Sequence, residues 1–197
     1  FNSSGHFYAT ADRQLGMSAG AFRNGGAGTS IHFATGVCSL GPILVAQSEL
    51  GICAIMLGND PDTLLENLRM QFPKAILMRG DQAYERLLRQ VIEFVEAPAI
   101  GLELPLDVRG TAFQERVWKV FLEIPAGTTV TYAEIAKRIG RPGAAHAVAQ
   151  AGAANPLAVV IPCHRVVRGD GDISGCRWGV AQTRKMLERE ASLADGK

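Results

Sequence analysis

The chain has 197 residues, of which 47% are hydrophobic, enough to bury one full core or two small ones. Its net charge of +1 excludes a strong overall field drawing it to nucleic acid, so any such contact must come from a local patch and from shape. The four cysteines (38, 53, 163 and 176) lack CxxC spacing and the four histidines (6, 32, 146 and 164) are scattered, which argues against a zinc site. No secretory h-region and no membrane-spanning apolar run occurs. The expected location is a reducing cytoplasm, where free thiols persist.

In chain order, Ser3 and Ser4 can cap a helix carrying Phe7, Tyr8, Ala11 and Leu15, stopped at Gly16. A short helical piece follows at Met17–Arg23, and Asn24–Gly28 reads as a linker. Three strand-like runs come next, Ile31–Val37, Ile43–Gln47 and Ile52–Leu57, separated by turn residues as in an antiparallel meander. Cys38 and Cys53 fall in or beside them and read as buried structural thiols. Asp60-Pro61 opens a helix with Leu64, Leu65, Leu68 and Phe72 inward. Asp81 opens another, with Tyr84, Leu87, Leu88, Val91, Ile92 and Val95 at helical spacing. Leu102, Leu104, Leu106 and Val108 alternate and read as an extended link.

A second unit is expected over 109–197. Thr111 can cap a helix running to Ile124, with Phe113, Val117, Val120, Phe121 and Ile124 inward. Thr131 and Glu134 make a capping box for a helix to Ile139, closed by Gly140. After Arg141-Pro142-Gly143 a third helix spans about 144–154, and the tight turn between the two is a helix-turn-helix signal. This third helix is nearly all small residues and lacks the Arg, Asn and Gln density of major-groove reading. It suits equally a close approach to a narrow groove or tight packing in a core. The apolar run Leu157–Ile161 reads as a buried strand ended by Pro162, which cannot donate to a ladder. Cys163 then sits at a rigid strand end beside His164 and Arg165. Positive charge favours the nucleophilic thiolate, but adjacent residues do not normally face each other. His164 therefore reaches the sulfur only through a sharp turn or a bridging water.

The run Asn155-Pro156…Ile161-Pro162-Cys163-His164-Arg165-Val166-Val167, followed by Gly175 and Glu190, resembles the O6-alkylguanine-DNA alkyltransferase family over roughly residues 30–197. Leu15–Ser18 and Phe22-Arg23 resemble the end of an AraC-type helix-turn-helix domain. Together they are similar to the C-terminal half of Ada-type adaptive-response proteins. The resemblance implies an α/β protein in three stretches: an AraC-like tail (1–26), a ribonuclease-H-like α/β subdomain (30–106) and an α-helical winged-helix subdomain (109–197). It implies a methylated-DNA–protein-cysteine S-methyltransferase that flips O6-methylguanine, and O4-methylthymine, out of duplex DNA. The alkyl group passes irreversibly to the protein's own cysteine in a single turnover, with no cofactor and no metal. Carried over by position, Cys163 is the acceptor, His164 deprotonates it through a water, and Glu190 orients that His. Asn155 is the hinge before the active-site strand, and Tyr132 helps rotate the nucleotide. The helix with Ala145, His146, Ala147 and Ala149 enters the minor groove. Arg165, Val166, Cys176 and Arg177 are further substrate- or DNA-binding positions. His146 stands where the family has an arginine filling the vacated stack, and Cys176 where it has a pocket tyrosine. The expected protein is a monomer with no membrane contact, reaching RNA polymerase only through a longer parent. Two competing readings are a winged-helix sensor of alkylated DNA with weak transfer, and a fragment of a transcriptional regulator.

Overall fold

The computed structural model describes residues 28–98, 101–173 and 175–195, the side chains only to 192 in the last stretch. The helices expected within 1–26 lie outside the described residues. Two compact units divide after Arg109.

The first unit is built on a four-stranded sheet: β1 (Ser30–Cys38), β2 (Gly41–Ser48), β3 (Gly51–Leu57) and β4 (Ile76–Arg79), in the order β3-β2-β1-β4. β1–β2 and β2–β3 pair antiparallel, while β4 lies parallel to β1, Ser30 opposite Ile76. This is the ribonuclease-H-like α/β arrangement expected. β4 was not expected: four residues carry too little periodicity to register, and Ile76 is exposed at the sheet edge. Helix α1 (Pro61–Gln71) starts on an Asp60 cap with Pro61 in its first turn, and α2 (Gln82–Glu96) on an Asp81 cap. Leu64 and Leu68 of α1, and Leu88, Val91, Phe94 and Val95 of α2, are buried.

β3 is buried throughout although it ends the sheet order, because the segment expected as a link covers its edge. Ile52 N–H donates to Pro105 O and Asp107 N–H to Ile52 O, both at 2.8 Å. Gly51 has φ +148°, and a Cβ there would strike the Pro105 carbonyl, so only glycine admits this approach. Beneath it Asp107 accepts from Ser48 Oγ and from Arg109, Nη2 at 2.6 Å, a buried ion pair with its acceptor sites filled.

The second unit begins with α3 (Ala112–Leu122), whose Thr111 and Gln114 form a reciprocal capping box. The two-residue strand β5 (Val130–Thr131) leads into α4 (Tyr132–Arg138), again on a capping box, Thr131 with Glu134. Gly140 (φ +73°) ends it. Helix α5 (Ala145–Ala153) completes the helix-turn-helix. Strand β6 (Val166–Val167) pairs parallel with β5, and α6 (Val180–Asp195) is last. Trp118 of α3 is buried where Val120 was expected inward, and its Nε1–H donates to Ala151 O at 2.8 Å. Gly152 of α5 approaches the rings of Phe121 and Tyr132. The small residues therefore serve close helix packing on the inner face, where Val148, Ala151 and Gly152 are buried. Among the described residues no helix is long and apolar enough to cross a membrane.

The candidate active site

The run Leu157–Ile161 is buried but is not a strand. Leu157 makes a single bridge, 158–160 turn, and Val159 sits at φ +66°. Val160 N–H donates to Ala158 O at 2.7 Å, closing a three-residue turn on Val159, and Ile161 N–H to Leu157 O at 3.1 Å. A β-branched residue at positive φ is strained and persists only where its surroundings impose it. Asn155 is what imposes it. Fully buried, its side-chain oxygen accepts from Leu157 N–H at 2.9 Å, and Nδ2 donates to Ile161 O at 2.8 Å. The amide thus replaces the strand ladder that an apolar run would otherwise seek, a local competition typical of asparagine.

After this turn, Cys163–Arg165 form a single 3-10 turn. It supplies the sharp bend that separates neighbouring side chains. Cys163 Sγ accepts the other hydrogen of Asn155 Nδ2 at 3.4 Å and lies 3.1 Å from Cys176 Sγ. The two sulfurs are within hydrogen-bonding distance, and either can donate. Cys176 is pulled down to about 7 by the hydrogen bond from Cys163. Cys163 is pushed well above the ordinary thiol range by that same bond, with burial adding to it.

His164 is buried and its Nε2 meets Glu190 Oε1 at 2.9 Å. Burial holds the imidazole below its ordinary value, against the pull of Glu190. It is therefore neutral at neutral pH, with its proton on Nε2 facing a carboxylate that can only accept. The lone pair falls on Nδ1, which is buried and has no hydrogen-bond partner among the described residues. Burial alone would raise the Glu190 carboxyl. Hydrogen bonds from His164, Arg165 and the Gly127 N–H outweigh that and hold it at about 2.

Of Arg165 and Val166, expected at the DNA, the first is half-buried and the second buried. Arg165 Nη2 binds Glu190 at 2.7 Å and Nη1 binds Ile124 O at 2.6 Å, so its guanidinium is spent on the framework. Val166 is buried in β6. Arg177 donates to Asn155 O at 3.1 Å and lies over the Trp178 ring. Tyr132 is buried, with its hydroxyl pushed up to about 12 by burial and by the neighbouring Cys176 and Cys163 thiols. Gly175 packs against that hydroxyl so closely that any Cβ would collide with it. His146 is exposed, and Ala145, Ala147 and Ala149 are partly so, on the outer side of α5. No cluster of three or more metal-ligating side chains occurs among the described residues. Sequence reasoning missed the contact of Cys163 with Cys176 and the bonds of Gly127 and Arg165 to Glu190. Nothing in residue spacing signals contacts across loops of such lengths.

The arrangement thus joins a buried thiol, a neutral base with an oriented lone pair, and a carboxylate that fixes the base. Residues 112–192 match the family model of the 6-O-methylguanine DNA methyltransferase DNA-binding domain. The methylated-DNA–protein-cysteine methyltransferase of Methanosarcina barkeri is 36% identical over 151 residues, 77% of this chain and 91% of that protein. The chain belongs to the methylated-DNA–protein-cysteine methyltransferase family. Within this methyltransferase family, the bifunctional transcriptional activator/DNA repair enzyme Ada of Escherichia coli is 49% identical over 97% of this chain and 54% of its own length. This chain therefore spans about half the length of that relative. A crystal structure of Mycobacterium tuberculosis OGT in complex with DNA superimposes with a TM-score of 0.62 at 33% identity, covering 82% of this chain and 93% of the other.

Proposed function

We propose that this chain repairs alkylated DNA by transferring the alkyl group from guanine O6 to Cys163 Sγ, one group per molecule. The observation that carries this is the joining of Cys163 to Asn155 on one side of a 3-10 turn and of His164 to Glu190 on the other. His164 Nδ1 takes the thiol proton through a bridging water, and Glu190 stabilises the imidazolium that forms. The Sγ–carbon bond forms as the carbon–O6 bond breaks, leaving guanine. The electrons released onto the base are neutralised by a proton, and Tyr132, whose hydroxyl stays protonated up to about pH 12 and lies close enough to the two thiols to feel both, is a donor placed to supply it. No metal or cofactor takes part in this scheme.

The base must leave the stack for a buried sulfur to reach it. The outer side of α5 suits a narrow groove: Ala145, Ala147 and Ala149 let the backbone approach, and exposed His146 fills the vacated stack. The partner is thus double-stranded DNA carrying O6-alkylguanine, met in the minor groove by a monomer. O4-methylthymine offers the same reacting carbon. Contact with RNA polymerase, and the AraC-like assignment of residues 1–26, belong to a longer parent protein.

The test is a mass spectrum after mixing with duplex DNA containing O6-methylguanine. A methyl group should appear on the peptide holding Cys163, and Cys163→Ala should abolish transfer while leaving DNA binding nearly intact. Methyl found on Cys176 in that mutant would overturn the assignment.

A further inference from the structure

Cys176 is the thiol that the transfer scheme does not use, yet its sulfur lies 3.1 Å from that of Cys163 and both residues are buried. We propose that Cys163 and Cys176 are a modification site for hydroperoxides, closing a reversible disulfide that masks the alkyl acceptor. The masking rests on the role proposed above for Cys163; the disulfide itself does not.

The geometry favours closure. A disulfide bond is about 2.05 Å long, so the sulfurs need approach by only about 1 Å. Cys163 is held in its 3-10 turn and by the Asn155 amide. Cys176 sits between Gly175 and Gly179 (φ +90°). Both thiols are buried, Cys163 retaining 2% of its surface and Cys176 7%, so ionisation rather than access orders the steps. The low ionisation of Cys176, at about 7, supplies a thiolate there.

The Cys176 thiolate attacks the near oxygen of the hydroperoxide. An S–O bond forms, the O–O bond breaks, and the departing alkoxide or hydroxide takes up a proton. Cys163 Sγ then attacks Cys176 Sγ. The S–S bond forms, the S–O bond breaks, and the leaving hydroxide combines with the Cys163 proton as water. Two thiols lose two electrons and two protons, and the hydroperoxide is reduced to an alcohol, or to water, plus water. Without a neighbouring thiol a sulfenic acid at this site would pass on to the irreversible sulfinic acid.

The experiment treats the full chain with stoichiometric hydrogen peroxide, blocks remaining thiols with an alkylating agent, and maps peptides without reduction. The peptides of Cys163 and Cys176 should be joined with the loss of two hydrogens, and Cys38 and Cys53 should carry the block. Methyl acceptance from O6-methylguanine duplex should fall in proportion to the joined fraction and return on adding dithiothreitol. Cys163 recovered as a sulfinate with Cys176 free, or both recovered as blocked thiols after peroxide, would overturn the disulfide. In Cys176→Ser the joined species should vanish, and Cys163, without the thiol that is oxidised first, should be recovered as a blocked thiol. Should that variant fail to fold, Cys163→Ser should leave Cys176 oxidised but unlinked; a cross-link to Cys38 or Cys53 in its place would count against the pair. Joined peptides from a chain that takes no methyl group even when reduced would leave the disulfide standing and sink the acceptor role.

Discussion

The imidazole of His164 and the carboxylate of Glu190 are joined at 2.9 Å, 26 residues apart in the chain. Glu190 also holds Arg165, at 2.7 Å. Removing His164 removes the base, and removing the carboxylate frees the base to turn. His164→Ala and Glu190→Gln should each slow transfer by about 10²- to 10⁴-fold, the usual worth of a general base. Because they act as one relay, the double mutant should be little slower than the worse single. Raising the pH should partly restore His164→Ala, since Cys163 must then ionise unaided from a raised pKa. Single-turnover rates across pH check this; multiplicative losses would speak against the relay.

Acid should unfold the second unit in a defined window. The Glu190 carboxyl is depressed from 4.5 to about 2, so its stabilisation is complete above pH 4.5 and is lost as pH falls towards 2. His164 is also depressed, from 6.5. The unfolded chain therefore binds its proton first as pH drops below 6.5, and stability declines in the same direction. Urea midpoints measured from pH 7 to pH 3 should fall, and more shallowly in Glu190→Gln. At neutral pH that mutant should itself lose about 3–5 kcal/mol, because Arg165 keeps its charge without its partner. A flat profile in wild type would contradict the Glu190 shift.

Asn155→Asp should be worse than its size change suggests. Both hydrogens of the amide are used, on Ile161 O and on Cys163 Sγ. A carboxylate has none to give and would face a carbonyl and a sulfur. Each buried group left unpaired costs about 1–3 kcal/mol, and the added charge would push the Cys163 thiol higher still. The expected outcome is a lower unfolding midpoint together with alkylation of Cys163 that needs a more alkaline pH than in wild type.

Gly175→Ala should displace Tyr132. The new Cβ would meet the tyrosine hydroxyl, which lies beside the two thiols. Stability should change by about 1–3 kcal/mol, as in overpacking, and transfer from duplex DNA should slow because Tyr132 no longer holds its place. If Tyr132→Phe restores the unfolding midpoint to the Gly175→Ala background, the clash with the hydroxyl rather than the loop backbone is responsible.

His146→Arg should speed repair of duplex substrate and hardly alter reaction with free O6-methylguanine. An arginine brings a permanent charge and a longer planar head to the exposed position on α5, and extruding a base costs a few kcal/mol. An equal change on both substrates would show that residue 146 does not support the flipped base.

Local chemistry made much of this legible in the residues. Thr111 with Gln114, Thr131 with Glu134, Asp60 and Asp81 are caps whose partners lie within three residues, so helix starts follow from adjacent side chains. The strands of the meander follow likewise from alternation and turn residues. Short elements escaped: β4 with four residues and β5 and β6 with two each exist only because a partner strand supplies their hydrogen bonds. Leu157–Ile161 departs from the strand its apolar run predicts for a related reason. An apolar run states that it will be buried but not in which backbone conformation, and here the Asn155 amide, rather than a neighbouring strand, satisfies it. The reacting residue types were legible in the motif around Cys163. Tertiary structure alone decided that Arg165 binds Glu190, and that Cys176 lies against Cys163. Both are side-chain contacts closed by chain folding, and no spacing rule carries them because the loops between can take many paths.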